Sequence, residues 1–235
     1  MGDVNISVVI PCYNSESFVE TAVRSALDQT LQTEEVICID DGSTDGTLEV
    51  LRSLEKEHND LIVHAQKNEG ICGARNTGLK ITNSQYVAFL DHDDKLHPNK
   101  LAHQAELITD CSVRPDFIAA AYRDEYPDSK REARIRKVNT SDPWVGLIHA
   151  RLGRTSSNLW KASSIREAGA WQEADGLSLD TGLMFRLLKR DAQFIGDNTP
   201  LTTRHVRDTS ASMANRTEQW RTFLELRPKI LRHLR

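Results

Sequence analysis

The chain has 235 residues, of which 39% are apolar and 27% charged, as is typical of a globular protein with a full hydrophobic core. Thirty Lys and Arg against 34 Asp and Glu give a net charge of −4, so the basic excess typical of nucleic-acid-binding proteins is absent. No basic stretch precedes a long apolar run at the start, and no window approaches the ~20 apolar residues that span a bilayer. These features predict a cytoplasmic protein.

The first 125 residues alternate short apolar runs with amphipathic helical stripes. Buried strands are predicted at 6–10, 36–39, 61–64, 86–90 and 116–121. Helices are predicted at 18–27, 47–57 and 74–81, and from Pro98 onward. Strands that alternate with helices predict the α/β class, with a mostly parallel central sheet flanked by helices.

The remaining residues follow a different pattern. Residues 122–143 are polar and carry a basic run at 130–137, which predicts an exposed loop or helix. Short elements are predicted beyond it: helices at 165–168 and 179–189, and a strand at 193–195. The tail, 217–235, has the pattern of an amphipathic helix that Pro228 should kink or interrupt.

Polar residues follow four of the predicted strands. The segments are Pro11-Cys12-Tyr13-Asn14, the run 40–47 (Asp-Asp-Gly-Ser-Thr-Asp-Gly-Thr), Asn68-Glu69-Gly70 with the run 73–76, and Asp91-His92-Asp93-Asp94. Because the carboxyl ends of parallel strands lie at one edge of a sheet, where ligands bind in α/β proteins, we expect these segments to share one site.

The acidic segments allow two interpretations each. Asp91, Asp93 and Asp94 repel one another unless a cation is present, and Mg²⁺ and Mn²⁺ prefer such oxygen ligands. The alternative is a solvated turn before the next helix. The Asp40-Asp41-Gly42 segment, likewise, is also typical of an ordinary turn that caps a helix.

Other ligand-binding classes do not fit. The Asp-Asp-Gly-Ser run follows the second strand and departs from the Asp-x-Asp-Gly-Thr pattern of haloacid dehalogenase phosphatases. The glycines at 70–78 lack dinucleotide-binding spacing, and the sequence contains no Walker A motif. The four cysteines (Cys12, Cys38, Cys72 and Cys111) are scattered, which favours free thiols over a metal site.

Taken in order, the four segments resemble family 2 of the glycosyltransferases, inverting enzymes of the GT-A fold. The resemblance is strong over 5–125 and moderate over 155–215. It implies a nucleotide-diphospho-sugar donor, a UDP-sugar first of all, and Mn²⁺ or Mg²⁺ as cofactor. It also implies a saccharide or lipid-linked acceptor, and transfer in polysaccharide, glycan or glycolipid biosynthesis.

The resemblance assigns the donor side residue by residue. It places Tyr13 and Pro11 near the nucleobase and Asp41 in contact with it. Asp91 lies near the ribose and is a second candidate metal ligand, and Asp93 holds the metal. The remaining donor-side residues are Asn14 and Gly70 at the nucleotide-sugar, Asp94 in a supporting or structural role, and Arg75, which either orients the acidic motifs or the diphosphate or simply pairs with an acid.

The same resemblance places the catalytic base at Asp180, where the family usually has Glu-Asp and this chain has Leu179-Asp180. Asp180 also suits a helix N-cap, whose dipole favours an ionised carboxylate. Base and metal ligand are then expected on opposite sides of one cleft. His205 is either a metal ligand or structural, and Trp171 either packs in the core or stacks on an acceptor sugar.

The departure at Leu179 keeps a second function open, a degenerate module that binds sugar-nucleotide without turnover. A sugar nucleotidyltransferase is disfavoured because Pro11-Cys12-Tyr13-Asn14 is not a glycine-rich, basic loop. We expect one catalytic domain over 1–215, with a donor half at 1–125 and an acceptor half at 126–215. The tail at 216–235 has six basic and two acidic residues; it either packs on this domain, which we favour, or contacts an anionic membrane.

Overall fold

A computed structural model describes residues 4–176, 178–207 and 216–234. The strands are β1 (Ile6–Cys12), β2 (Val36–Asp40), β3 (Leu61–Ala65), β4 (Tyr86–Phe89), β5 (Lys95–Leu96), β6 (Phe117–Ala120), β7 (Tyr122–Glu125), β8 (Arg134–Arg136), β9 (Leu159–Lys161), β10 (Phe194–Asp197) and β11 (Thr202–His205). The helices are α1 (Val19–Leu27), α2 (Thr47–Glu57), α3 (Gly70–Ile81), α4 (Lys100–Thr109), α5 (Pro143–Ile148), α6 (Ala162–Glu167), α7 (Leu179–Leu188) and α8 (Arg216–His233), with a 3₁₀ turn at Glu173–Asp175.

Seven strands form the main sheet in the order β10-β6-β9-β4-β1-β2-β3. Strands β1 to β4 pair in parallel, as do β6 and β10, while β9 is antiparallel to both of its neighbours. A second, smaller sheet has the order β5-β11-β7-β8. The predicted α/β class with a mostly parallel central sheet is confirmed.

Strand β1 lies in the middle of this sheet, and all seven of its side chains are buried. Val8 and Ile10 pack on one face with α1 and α2, and Val9 packs on the other face with α3 and α7. A side chain at Gly78 of α3 would collide with Val9, so the helix lies directly on the strand. This double coverage explains why β1 has an almost continuous apolar sequence.

The prediction of a loop or helix over 122–143 is wrong where β7 and β8 form an antiparallel pair. Asp124 of β7 is buried, and its carboxylate pairs with Arg136 at 2.7 Å and Arg204 at 2.9 Å. Strands are recognised in a sequence by apolar residues at every second position. Strand β7 lacks this pattern because its buried residue is an aspartate whose charge is paired with arginines. Strands β5, β9 and β11 were also missed, because β5 and β9 have only two and three residues and β11, with the sequence Thr-Thr-Arg-His, contains no apolar run.

Helix α8 continues through Pro228, so the predicted interruption does not occur. Phe223 and Ile230 are buried on one side of this helix. Near its end, the His233 ring lies 5.1 Å from Trp144 and 6.3 Å from Phe185. One side of the tail therefore packs on the rest of the protein. None of the helices in the described part of the chain is long and apolar enough to cross a membrane.

Candidate active site

The carboxyl ends of β1, β2 and β4 open onto a cavity of about 970 Å³. Its lining contains each of the site residues predicted from the sequence: Pro11, Tyr13, Asn14, Asp41, Gly70, Arg75, Asp91, Asp93, Asp180 and His205. The fold thus brings together residues from three separate loops and from β1, α3, α7 and β11. Their individual roles stay predictions.

The loops after β1 and β2 are tied together at one end of this cavity. The Asn14 backbone N–H donates to Ser43 Oγ at 3.0 Å, and Asn14 Oδ1 accepts from the Thr44 N–H at 2.8 Å. Asn14 adopts a left-handed φ of 47°, which Asn tolerates better than most residues. Its side-chain oxygen is therefore engaged within the protein, while the neighbouring Tyr13 is 45% exposed and presents its ring to the cavity.

Asp41 is buried at the end of β2, and its orientation is fixed by two donors. Its Oδ1 accepts from Gln66 Nε2 at 2.7 Å and from the Glu69 N–H at 2.9 Å. Gly70 follows with a φ of 73°, which suits glycine, at the first residue of α3. These contacts fix the segment that leads from β3 into the cavity.

Arg75 of α3 lies between the two acidic groups of the cavity and is 5% exposed. Its Nη2 donates to Asp91 Oδ1 at 2.9 Å, and its Nη1 is 3.5 Å from Asp180 Oδ1. Burial opposes the positive charge, but the two carboxylates outweigh it and raise the pKa of Arg75 above its usual value. The residue both pairs with acids and positions them, so the two interpretations left open by the sequence are compatible.

Asp180 is the second residue of α7, and Ser178 takes the N-cap position. The expectation that Asp180 caps this helix is therefore wrong, because its carboxylate points to Thr155 instead. The Thr155 N–H donates to Asp180 Oδ2 at 3.0 Å, and the Thr155 hydroxyl donates to Asp180 Oδ1. With Arg75, three donors fix the orientation of this carboxylate, whose side chain remains 22% exposed.

The acidic segment after β4 crowds three carboxylates. Burial opposes ionisation of Asp91, but Arg75 outweighs it and lowers the pKa of this carboxyl. Burial and the charge of Asp91 raise the pKa of Asp93. The same causes, with Asp93 added, raise the pKa of Asp94 well above its usual range. Asp94 is buried and accepts from the His205 N–H at 3.3 Å, which is a structural role.

His205 lies against this acidic segment. Its Nδ1 is 2.8 Å from the backbone carbonyl of Asp93, and because a carbonyl only accepts, Nδ1 carries the proton. In the neutral ring, Nε2 is then the unprotonated atom, which is the arrangement found in metal-binding histidines. Nε2 lies 3.9 Å from Glu125 Oε2.

The donor set suits a hard divalent cation, because crowded carboxylates and one imidazole meet beside the cavity. Within residues 4–176, 178–207 and 216–234, however, no three His, Cys, Asp or Glu side chains converge closely enough to hold a metal ion on their own. A cation at Asp93 would therefore need further oxygen ligands from a bound molecule, as Mg²⁺ commonly takes from phosphates.

Three cavity residues were not given a role from the sequence. Thr155 holds Asp180 from 25 positions away, Arg154 donates to the Tyr122 hydroxyl at 3.0 Å, and Arg207 lies 3.8 Å from Asp93 Oδ2. None of them follows a predicted strand, so no local signal marked them. The cavity also has an apolar end, which is lined by Leu147, Leu152, Leu179, Met184, Trp220 and Phe223.

Trp171 belongs to the core rather than to this apolar end. It is 2% exposed, and its ring lies 4.3 Å from that of Phe89 and 6.3 Å from that of Trp160. Of the two interpretations of this residue, the structure supports packing.

Known proteins resemble the chain both in sequence and in structure. A sequence model described as Glycosyl transferase family 2 matches residues 7–160. An uncharacterized glycosyltransferase of Rickettsia conorii is 30% identical over 93% of this chain and 38% of its own length. A putative teichuronic acid biosynthesis glycosyltransferase of Bacillus subtilis is 41% identical over 48% of this chain and 45% of its own. The chain thus spans less than half the length of these curated relatives.

Two solved structures have the same fold. The S. aureus TarS fragment in complex with UDP-GlcNAc matches with a TM-score of 0.74 at 20% identity, over 93% of this chain and 64% of that one. The mannosyltransferase of Pyrobaculum calidifontis in complex with GDP-Man and Mn²⁺ matches with a TM-score of 0.72 at 17% identity, over 95% and 64%. The predicted GT-A fold is confirmed.

Proposed function

The chain belongs to glycosyl transferase family 2, and on that premise we propose that it transfers a sugar from a nucleotide-diphospho-sugar to the hydroxyl of a saccharide or lipid-linked acceptor. The observation that carries this proposal is the placement of Arg75. It links Asp91 at the donor end of one cavity to Asp180 near the apolar end. Two acids joined in this way suit a reaction in which one binds the donor and the other activates the acceptor.

The donor occupies the end formed by the loops after β1, β2 and β4. Pro11, Tyr13 and Asp41 contact the nucleobase, Asp91 the ribose, and Asn14 and Gly70 complete the nucleotide-sugar site. The exposed ring of Tyr13 supports the first assignment, since a flat aromatic surface can stack on a base. The two structural neighbours were solved with UDP-GlcNAc and GDP-Man, which supports a nucleotide-sugar donor, with UDP-sugars tested first.

Asp93 would hold Mn²⁺ or Mg²⁺, His205 and Asp91 would be further ligands, and the donor diphosphate would supply the remaining oxygens. When bound, such a cation supplies Lewis-acid stabilisation of the negative charge that grows on the departing diphosphate. The crowding of Asp93 with Asp91 and Asp94 and the hydrogen bond from Nδ1 of His205 to the Asp93 carbonyl support this assignment, as does the Mn²⁺ in the Pyrobaculum calidifontis neighbour. The proposed transfer reaction therefore depends on a divalent metal ion.

Asp180 acts as the general base. Its carboxylate accepts the proton of the acceptor hydroxyl while that oxygen attacks the anomeric carbon, and the bond to the diphosphate breaks on the opposite face. The configuration at the anomeric carbon inverts as a result. Arg75 and Thr155 position the carboxylate, which fixes its approach to the hydroxyl. Asp93 and Asp180 flank the sugar in this arrangement.

The proposed reaction is the transfer of a hexose in the biosynthesis of a polysaccharide, glycan or glycolipid. The similarity to the putative teichuronic acid biosynthesis glycosyltransferase of Bacillus subtilis supports this proposal. Residues 1–215 form the catalytic domain, with 1–125 as its donor half and 126–215 as its acceptor half, followed by the tail 216–235. The proposed location is the cytoplasm, with peripheral contact at the inner face of the membrane. A binding module without turnover is the second candidate, because Leu179 stands where the family has an acid.

Nucleoside diphosphates and metal together test the donor site. Melting temperature would be measured with UDP, GDP and ADP, each with Mn²⁺ and with chelator, on the wild type and on Asp93→Ala. A ligand at ~100 times its dissociation constant adds ~2.7 kcal/mol of stability. We expect one nucleotide to stabilise the wild type in the presence of Mn²⁺, and this shift to disappear with chelator and in Asp93→Ala.

Release of nucleoside diphosphate from the matching nucleotide-sugars then separates the two candidates. An enzyme releases it faster than the uncatalysed background, and a binding module binds donor without release. Absence of any nucleotide-dependent stabilisation would contradict both.

A further inference from the structure

Helix α8 carries a second apolar face that the described part of the chain leaves uncovered. Trp220, Leu224 and Leu231 are 52%, 54% and 48% exposed, although large apolar side chains are usually buried. Their spacing of four and seven residues places them on one side of the helix. The neighbouring side, with Phe223 and Ile230, already packs on the protein, so these three residues are not needed to attach the helix.

The exposed face is accompanied by positive charge. The described charged side chains of α8 are Arg221, Arg227, Lys229 and Arg232 against Glu225, four basic and one acidic, whereas the whole chain has a net charge of −4. Glu225 lies 3.3 Å from Arg221 and offsets its charge. The excess positive charge of the helix is therefore carried by Arg227, Lys229 and Arg232. A helix with an exposed apolar face and basic flanks is complementary to an anionic lipid surface.

Trp220 connects this face to the candidate active site. It lines the apolar end of the cavity and also a shallow outer groove with Arg221, Leu224 and Pro228. Tryptophan is the residue most suited to a membrane–water interface, because its ring is apolar and its N–H is polar. A surface that covers the outer face of α8 would therefore lie next to the apolar end of the cavity.

We propose that α8 docks this protein onto an anionic lipid bilayer. Trp220, Leu224 and Leu231 enter the interface between headgroups and acyl chains, and the basic side chains of the helix contact the lipid phosphates. Docking in itself does not depend on catalysis. Its consequence, that the acceptor is a lipid-linked molecule presented at the bilayer surface, rests on the proposed transferase function.

Vesicle co-sedimentation tests the docking. Wild-type protein, the double variant Leu224→Glu/Leu231→Glu and the control Val113→Glu would be mixed with vesicles of phosphatidylcholine alone or with about a quarter phosphatidylglycerol. Val113 is 64% exposed in the loop between α4 and β6. Its replacement by Glu makes the same change from an apolar to an acidic side chain, but outside α8. We expect the wild type and the control to pellet with anionic vesicles only, less so at high salt, and the double variant to bind about tenfold more weakly or worse.

Fluorescence locates the contact. Trp160 and Trp171 are buried, and Trp144 is half-buried and lies 5.1 Å from His233. Because Trp220→Phe keeps all three, a blue shift on addition of anionic vesicles that is lost in this variant assigns the contact to Trp220 of α8. Melting temperatures of all variants, measured without vesicles, establish that they are folded.

Two results would overturn the proposal. One is equal pelleting of the wild type and the double variant with anionic vesicles, which includes the case where neither pellets. The other comes from light scattering without vesicles: a wild-type protein that is dimeric and a double variant that is monomeric. A second copy of the chain would then cover this face. Stabilisation by nucleoside diphosphate and Mn²⁺ is measured on the same variants, so a failure of docking and a failure of the donor site are read separately.

Discussion

The two ends of the cavity are built in different ways. The donor end consists of loops that directly follow β1, β2 and β4, and contacts between these strand-end loops, such as Asn14 with Thr44, hold them together. The other end consists of α5, the loop before β9, the start of α7 and α8. There, Asp180 depends on Thr155 and Arg75, neither of which directly follows a strand, and much of the remaining lining is apolar.

This difference shows where the identity of a ligand is encoded. A donor end assembled from strand-end loops presents backbone groups and acids in fixed positions, as suits a ligand of constant chemistry such as a nucleoside diphosphate. An end assembled from separate helices and one loop can vary without disturbing the sheet. Substitutions at the two ends should therefore have separable effects, except for those that act through Arg75, which contacts an acid at each end.

Asp180→Asn should produce the largest change. The amide keeps the shape of the side chain but cannot accept the proton, so we expect turnover to fall about a thousandfold. Stabilisation by nucleoside diphosphate and Mn²⁺ should change far less than turnover, because every donor-end side chain is kept and only the sharing of Arg75 between Asp91 and Asp180 is altered. Turnover within a few-fold of the wild type would show that another group is the base.

Arg75→Met should disturb both ends at once. It leaves Asp91 and Asp180 without the cation between them, and loss of one partner of a buried ion pair costs about 3 kcal/mol of unfolding free energy. Urea denaturation measures this cost. Arg52→Met is the matched control, because Arg52 pairs with Glu55 at the surface and should cost less than about 1 kcal/mol. Equal losses in the two variants would contradict the bridging role.

Lys100→Met should stabilise the protein. Lys100 is 1% exposed, its Nζ donates to Gln104, and burial lowers its pKa to about 7. Between this value and the ordinary one of about 10.4, the unfolded chain binds the proton more tightly, so wild-type stability rises with pH from about 7 toward 10. At pH 7 this proton linkage amounts to about 4 kcal/mol. Removing the amine also leaves the buried Gln104 oxygen without its donor, at a cost of about 2 kcal/mol, so the unfolding free energy at pH 7 should rise by about 2 kcal/mol.

The pH dependence of unfolding checks this assignment. The advantage of Lys100→Met over the wild type should shrink steadily as the pH is raised from 7 to 9 in urea titrations. Lys95→Met, at an exposed position, is the control and should follow the wild type at every pH. A Lys100→Met variant with the wild-type pH slope would contradict the burial of an uncharged amine.

Thr155→Val and Thr155→Ser should give the smallest and most specific effect. Loss of a hydrogen bond to a charged group costs about 1.5–3 kcal/mol, so the valine variant should lose about tenfold to a hundredfold in kcat. The serine variant keeps the hydroxyl and should recover most of it. KM for the donor should stay constant in both, and a change confined to KM would place Thr155 in binding instead.

The sequence was informative where a property is local. Residues 6–10 and 36–39 predicted β1 and β2 because strands covered on both faces are continuously apolar. The donor-end residues were found because each follows such a strand. Strand β9 was missed because three residues carry no period, and β7 because its inward residue is Asp124, whose neutralisation by two arginines is visible only in three dimensions.

The partners of Asp180 were not accessible to this reasoning. Thr155 and Asp180 are 25 residues apart, and no pattern in either segment announces the contact. The family resemblance supplied the role of Asp180, but not the residues that hold it. The same limit applies to α8, whose amphipathic pattern predicted one buried face and could not show that a second face stays uncovered.

The position of Arg75 makes the two ends of the cavity thermodynamically linked. One guanidinium serves two carboxylates, so a change in the charge near Asp91 alters the share of Arg75 that remains for Asp180. Coupling of this kind is reciprocal: whatever an occupant of one end does to the affinity at the other, it experiences in equal measure. A single buried side chain thus couples the affinities of the two ends of the cavity.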